Sequence, residues 1–409
     1  MSLSPPSHDY RRAVQELQLG SAWRTDQEEL GAFATAFSSL SAAAYTESLP
    51  KRRRNGLGED FSYEFQYLSG VLFPNAHAFS GSDGRLFVGI TASMYGLVNQ
   101  VCDQLFEDDA ISRLLDEKLE VVTARKRRLT MEFADMGQKR SAIFSNYVVD
   151  DEFIAAAPPS GWRTSYRSVG DFSIAVSDKY RVRDAILSYI FHHEMGHLIE
   201  GHVGLQSRQE GAGVLGESGD GSLDPTQLRL AMEFQADRSA AKALLLVSHA
   251  RHAIAGRAGI ENNWNRSVSL DFLSIFLAHT ILTMSAMAEG RISKGGDLSD
   301  SEVKDIFHQN TSYPSAGIRM ISALNTYVNS LDAIDPLVKE DIDSKDTRLM
   351  RPMDVVKHLG DTYGEFAMML VIARIHEDDF QAGRKAIFEE GSIDRLRREC
   401  APYAFGGLV

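Results

Sequence analysis

The sequence predicts an α+β chain, predominantly helical, with a small antiparallel sheet. Three observations lead there. A strand-like run with a hairpin turn occupies residues 61–90, and helical apolar periodicity dominates after Asp184. The composition, 44% hydrophobic and 24% charged over 409 residues, suits a globular core. At roughly 100–200 residues per domain the length allows two or three units, or one large core with additions.

Residues 1–60 are polar to weakly amphipathic and read as an N-terminal helical extension. From Phe61 the pattern changes to FQYLSGVLF, a turn-rich NAHAFSGSDG and then RLFVGI, with Asp83-Gly84 as the hairpin signal. Residues 95–140 read as helix, on Leu105, Ile111, Leu114, Leu115, Leu119 and Val122 at mixed three and four spacing. Further strands are expected at 142–149 and 172–176. Residues 185–199, AILSYIFHHEMGHLI, predict a helix. The glycines between Gly201 and Gly221 predict a loop without regular structure over 201–224, read either as a mobile lid or as a tolerated insertion. Asp224-Pro225 supplies an N-cap with Pro in the first helical position, opening a helix to about residue 248. A buried helix at 270–288 and a helix at 365–375 complete the expected elements.

Forty-three Lys and Arg against 56 Asp and Glu give a net charge of −13. That balance speaks against a broad phosphate-neutralising surface, so no nucleic acid is expected as partner, and the basic runs at 51–54 and 125–128 read as solvated faces. Cys102 and Cys400 are too few for a disulfide framework and form no C-x-x-C pair, which suits a reducing cytoplasm. The opening MSLSPPSHDYRRAVQEL lacks the basic start and apolar stretch of an export signal. The most apolar window, 270–288, is interrupted by Asp271 and His279, whereas a membrane span needs roughly 20 predominantly apolar residues.

His193-Glu194-Met195-Gly196-His197 fits H-E-x-x-H inside the helix at 185–199. Four residues turn a helix by about 400°, so both imidazoles share one face and can hold one metal ion. Glu194 would then be the general base, and Gly196 would leave room beside the metal. Downstream, Glu233-Phe234-Gln235-Ala236-Asp237 places two carboxylates four apart on the next helix. A catalytic zinc needs a third protein ligand and an open fourth position, a role that suits Glu233. Asp237 suits the outer N–H of a ligand imidazole, His193 first. His192 faces about 100° away and His202 follows the helix end, so both read as packing or capping residues.

HHEMGHLIEGH followed by EFQADRSA resembles the gluzincin metallopeptidases, especially the group of the CAAX prenyl proteases and heat-shock membrane peptidases. Asn75-Ala76-His77-Ala78-Phe79 and the following Gly84 to Gly89 are similar to that group's Asn-Ala-x-Ala turn and edge strand. Tyr313-Pro314 and Arg319 match the spacing of its His-Pro and Arg, with Tyr in place of His. The Lit-type phage-exclusion peptidases, soluble and cytoplasmic, are a second point of likeness.

The resemblance implies a zincin-like core over residues 61–325, with a family-specific insertion near 91–180 and a C-terminal helical region over 326–409. It also implies a Zn²⁺ held by His193, His197 and Glu233, with Tyr313 or Arg319 assisting the oxyanion. The strand Arg85, Leu86, Phe87 and Val88 is expected to pair with an extended protein or peptide substrate. The expected activity is zinc-dependent endopeptidase cleavage of cytoplasmic proteins, away from membranes. The competing expectation is a regulatory or binding protein with a structural or vestigial zinc site. Oligomeric state is not legible.

Overall fold

The computed structural model describes residues 6–17, 19, 21–22, 54–69, 74–107, 110–115, 134–135, 138–139, 166–169, 172–175, 177–211, 225–260, 263–294, 316–334, 355–357, 359 and 392–405. In chain order its elements are α1 (His8–Glu16), β1 (Ser21–Ala22), β2 (Tyr63–Ser69), β3 (Ala76–Ser80), β4 (Leu86–Thr91), α2 (Ala92–Leu105) and α3 (Ala110–Leu115). Next come β5 (Ala134–Asp135), β6 (Gln138–Lys139), β7 (Tyr166–Val169), β8 (Phe172–Ala175), α4 (Asp178–Ile199) and α5 (His202–Gly211). Four helices complete the order: α6 (Pro225–Arg257), α7 (Trp264–Lys294), α8 (Ala316–Ile334) and α9 (Ser392–Cys400). Helix dominates, and none of the described helices is long and apolar enough to cross a membrane.

The sheet differs from the expectation in two ways. Its order is β1-β2-β4-β3, and β2 runs parallel to β4 while β1 and β3 run antiparallel to their neighbours, so the sheet is mixed. Strand β4, carrying Leu86, Phe87 and Val88 after Arg85, is therefore interior, and among the described strands the edges are β1 and β3. LFVGIT is a nearly continuous apolar run, which is the signature of a strand buried on both faces. Val88 and Ile90 join the main core, while Phe87 packs with Tyr10, Leu68 and Phe79 beneath α1. Arg85 sits at the hairpin end, 2.6 Å from Asp9.

Helix α1 is part of this sheet layer rather than a separate extension. Ser7 caps it by accepting from the Tyr10 N–H at 3.0 Å, and the buried Tyr10 hydroxyl donates to the Val88 carbonyl at 3.2 Å. Thr91 links the sheet to α2. Its hydroxyl oxygen accepts from the amides of Met94 and Asn75, which ties the start of β3 to the helix.

Helix α4 is the centre of the molecule. Seventeen of its 22 residues are buried, on every side, because β3, β4, α2, α6 and α7 all pack on it. A helix surrounded in this way has no polar face to keep in water, so polar side chains on it must find partners inside. It begins at Asp178, earlier than its apolar pattern indicates, and α6 runs past residue 248 to Arg257. The helix expected over 95–140 is instead α2 and α3, with the β5–β6 hairpin near its end. The strand at 142–149 and the helix at 365–375 lie outside the described residues.

Gly201 ends α4 with φ +82°, but Gly204 and Gly211 lie within regular structure, while residues 212–224 of the expected loop lie outside the described residues. Helix α5 covers His202–Gly211, and a Cβ on Gly204 would lie 2.8 Å from Cβ of Tyr403. Packing against the 401–405 segment thus outweighs low helix propensity at that position. The Phe405 N–H donates to the Ile199 carbonyl at 2.8 Å, satisfying one of the last carbonyls of α4. Helix α8 runs through residues 325 and 326, so no break marks the boundary expected there.

Candidate metal centre

Helices α4 and α6 approach closely where Gly196 of one faces Ala236 of the other. A Cβ on Gly196 would meet the Ala236 Cα at 3.0 Å, so the glycine faces α6 and permits close approach of the two backbones, rather than opening space beside a metal. Ala236 lies between Glu233 and Asp237, and the close crossing delivers both carboxylates to the histidines of α4.

His193, His197 and Glu233 converge. Their Nε2 atoms are 3.2 Å apart, and Glu233 Oε2 and Oε1 lie 3.4 and 3.5 Å from the Nε2 atoms of His193 and His197. Tetrahedral coordination with bonds of about 2.0–2.1 Å places neighbouring ligand atoms about 3.3–3.4 Å apart, so the spacing fits one shared cation. The group could hold a metal ion, and its side chains are only 12–16% exposed.

Asp237, fully buried, organises the far side. It lies 2.9 Å from His193 Nδ1, accepts from Arg319 Nε at 2.6 Å and Nη2 at 2.9 Å, and accepts from the Tyr189 hydroxyl at 3.2 Å. Tyr189 in turn is 2.9 Å from His279 Nε2 on α7. Burial opposes the Asp237 charge, but Arg319 and His193 outweigh it and hold the carboxyl well below the usual range. Such an acceptor fixes the His193 proton on Nδ1 and leaves Nε2 aimed at the shared position.

Arg319 has little capacity left for an oxyanion. Its Nη1 lies 2.9 Å from Glu233 Oε2 and its other nitrogens hold Asp237, so it braces the two carboxylates against each other. Burial works against ionisation of Glu233 as well, and Arg319 with His193 keeps it well below its ordinary value. Burial likewise opposes a charge on His193, but Asp237 and Glu233 raise its pKa to about 10. A cation at the shared position would take the place of that proton. For His197 burial dominates and lowers the pKa well below the ordinary value.

Glu194 lines the same cavity, of about 200 Å³, together with Asn75, His77, Ala78 and Gln206. Burial pushes its carboxyl up to about 7, opposed in part by His193 and by a hydrogen bond from the Ala78 amide of β3. A carboxylate with that pKa takes and returns protons readily near neutral pH. Tyr313 lies outside the described residues. Neither cysteine lines the cavity.

Two histidines read alike from sequence separate here. His192 is fully buried against the Phe191 ring, and burial pushes its pKa down to about 3. His202, also fully buried, has its Nδ1 2.9 Å from His197 Nδ1 and its Nε2 3.2 Å from Gln235 Oε1. The partners that sequence reasoning missed are therefore His202, Gln235, Tyr189 and His279. The first had a visible signal, the histidine closing HHEMGHLIEGH; the others reach the site only through helix crossings. Compared with known protein families, curated proteins and solved structures, the chain has no match.

Proposed function

We propose that the chain is a zinc-dependent peptidase with a zincin-like core, cleaving protein or peptide substrates with Glu194 as the general base. The observation that supports the reading best is the convergence of two imidazole nitrogens and one carboxylate beside a second, buried carboxylate in one cavity. Two nitrogens and one oxygen form a donor set that zinc favours, and the three ligands found among the described residues leave a coordination position open, as catalytic rather than structural zinc sites do. Zinc bound there would supply a water of lowered pKa and polarise the scissile carbonyl.

The remaining work falls to side chains of the protein. Glu194 accepts the proton of the attacking water and delivers it to the leaving amine, a transfer eased by its pKa near 7. Asp237 holds the His193 proton on Nδ1, and Arg319 keeps Glu233 and Asp237 aligned, its one positive charge offsetting half of theirs. The cavity abuts β3, an edge among the described strands, so an extended substrate would add to that strand and not to β4; on β3 the Ala78 amide is already engaged by Glu194.

The test is to measure bound zinc and cleavage of a quenched-fluorescent peptide library by wild type and Glu194→Gln. Retained zinc with cleavage lost in the variant is the expected result. Equal cleavage by both ends the assignment of the base, while zinc in both and cleavage by neither favours the regulatory or binding alternative.

A further inference from the structure

His197 is held differently from its partner ligand. His193 faces an ionised carboxylate, whereas the outer nitrogen of His197 faces another imidazole, that of His202, at 2.9 Å. Two facing ring nitrogens bond only if one carries a proton and the other a lone pair, and the direction of that bond decides whether His197 Nε2 is free to bind a metal.

The direction is set at the far end. Glu200, directly after α4, receives Gln235 Nε2 on one oxygen and the Ser239 hydroxyl at 3.0 Å on the other. A carboxylate only accepts, so the Gln235 amide must turn its NH₂ to Glu200 and its Oε1 to His202; the flipped amide would set oxygen against oxygen. Gln235 Oε1 then accepts from His202 Nε2, 3.2 Å away. A neutral His202 protonated on Nε2 has its lone pair on Nδ1, so the Nδ1 proton belongs to His197. That leaves His197 Nε2 unprotonated, 3.2 Å from His193 Nε2 at the shared position.

We propose that His202, Gln235 and Glu200 form a one-way hydrogen-bond relay that locks His197 in the Nδ1–H tautomer, with His202 as the positioning residue for metal binding. The relay leaves α4 at His197, crosses α5 and α6, and returns to the residue that caps α4, so it also ties the ligand to the helix end. The inference rests on the metal-site reading of His193, His197 and Glu233.

The experiment measures zinc affinity by chelator competition, with the melting curve of the zinc-free protein, for wild type, His197→Ala, His202→Leu, His202→Asn and Gln235→Leu. Asn places an acceptor oxygen where Nδ1 stood, and Leu fills the space without one. Loss of an outer partner commonly weakens metal binding about 10–100-fold, so His202→Leu should fall in that range while His202→Asn stays within about threefold of wild type. Wild-type affinity in His202→Leu, with affinity lost in His197→Ala, would overturn the relay and leave the metal site standing. Equally weak His202→Leu and His202→Asn proteins would also overturn it, by showing that packing rather than the acceptor matters. Equal zinc binding by wild type and His197→Ala would remove the metal site and the relay together. If His202→Leu does not fold, Gln235→Leu decides: unchanged affinity refutes the relay, and a severalfold loss supports it.

Discussion

Gly196→Ala sets two opposing effects against each other at the helix crossing. In a helix interior alanine is favoured over glycine by about 1 kcal/mol, from lower entropy of the unfolded chain and better propensity. Against this, the new methyl would stand 3.0 Å from Ala236 Cα, 3.3 Å from its carbonyl oxygen and 3.4 Å from its Cβ. Carbon atoms rest at about 3.5–4.0 Å, so α4 and α6 must part by roughly half an ångström. The obstacle is backbone and cannot swing aside. Overpacking of this kind costs about 1–3 kcal/mol, which outweighs the propensity gain and leaves a net loss of about 1 kcal/mol. The larger effect is expected at the metal. Ala236 sits between Glu233 and Asp237, and coordination distances tolerate only about ±0.2 Å, so zinc affinity should fall by at least about tenfold. Urea unfolding of the zinc-free protein and chelator competition measure the two effects. Gly256→Ala is the matched control, since a Cβ there meets nothing within 4 Å and the residue is exposed on α6. It should gain a few tenths to about 1 kcal/mol and leave zinc binding unchanged. Gly196→Ala behaving like Gly256→Ala in both measurements would refute the close-crossing argument.

Arg319→Leu should destabilise the zinc-free protein by about 3–5 kcal/mol, because it strands two buried carboxylates without their cation. Added zinc should recover part of the loss by neutralising Glu233, and wild-type stability without zinc would contradict the bracing role. The acidic limb of kcat/KM should lie below pH 7: burial, offset in part by His193, Arg319 and the Ala78 amide, brings Glu194 to about 7, and a bound dication would draw it lower. A limb centred well above pH 7 would exclude Glu194 as the base. Far from the site, Asp271 is buried and its pKa is raised to about 6, above its unfolded value of 3.8, although the Tyr327 hydroxyl donates to it at 2.8 Å. Its contribution is then fully present below about pH 4 and lost as pH rises through 6. Wild type should lose up to about 3 kcal/mol relative to Asp271→Asn between pH 4 and pH 8, as urea unfolding at several pH values would show; a constant difference would refute it.

The residues of the candidate metal centre were legible because their spacing is local. Helical periodicity alone places His193 and His197 on one face, and Glu233 and Asp237 on another, and the fold brings the two faces together. What sequence could not supply was which helix faces which. Gln235, two positions from Glu233, points away from the metal, yet it reaches the site through His202 because α5 folds back after Gly201. Arg319 reads as a free cation near the cleft until its nitrogens are seen on Glu233 and Asp237. In the sheet, the unbroken apolar character of LFVGIT already spoke for an interior strand, whereas the family resemblance implied an edge strand there. Gly204 misled for a related reason: propensity is a local quantity, and Tyr403 packs where its side chain would be.

The seal at the end of α4 comes from residues late in the chain. Phe405 donates to the Ile199 carbonyl, and α9 packs on α5 and α6, although His193, His197 and Glu233 all precede these segments in sequence. During synthesis the ligands therefore leave the ribosome well before the segment that closes the helix beneath them. A chain arrested between Glu233 and α9 would carry its candidate metal donors on α4 and α6 with the Ile199 carbonyl still unmet, so closure of the α4 end waits on the 392–405 segment.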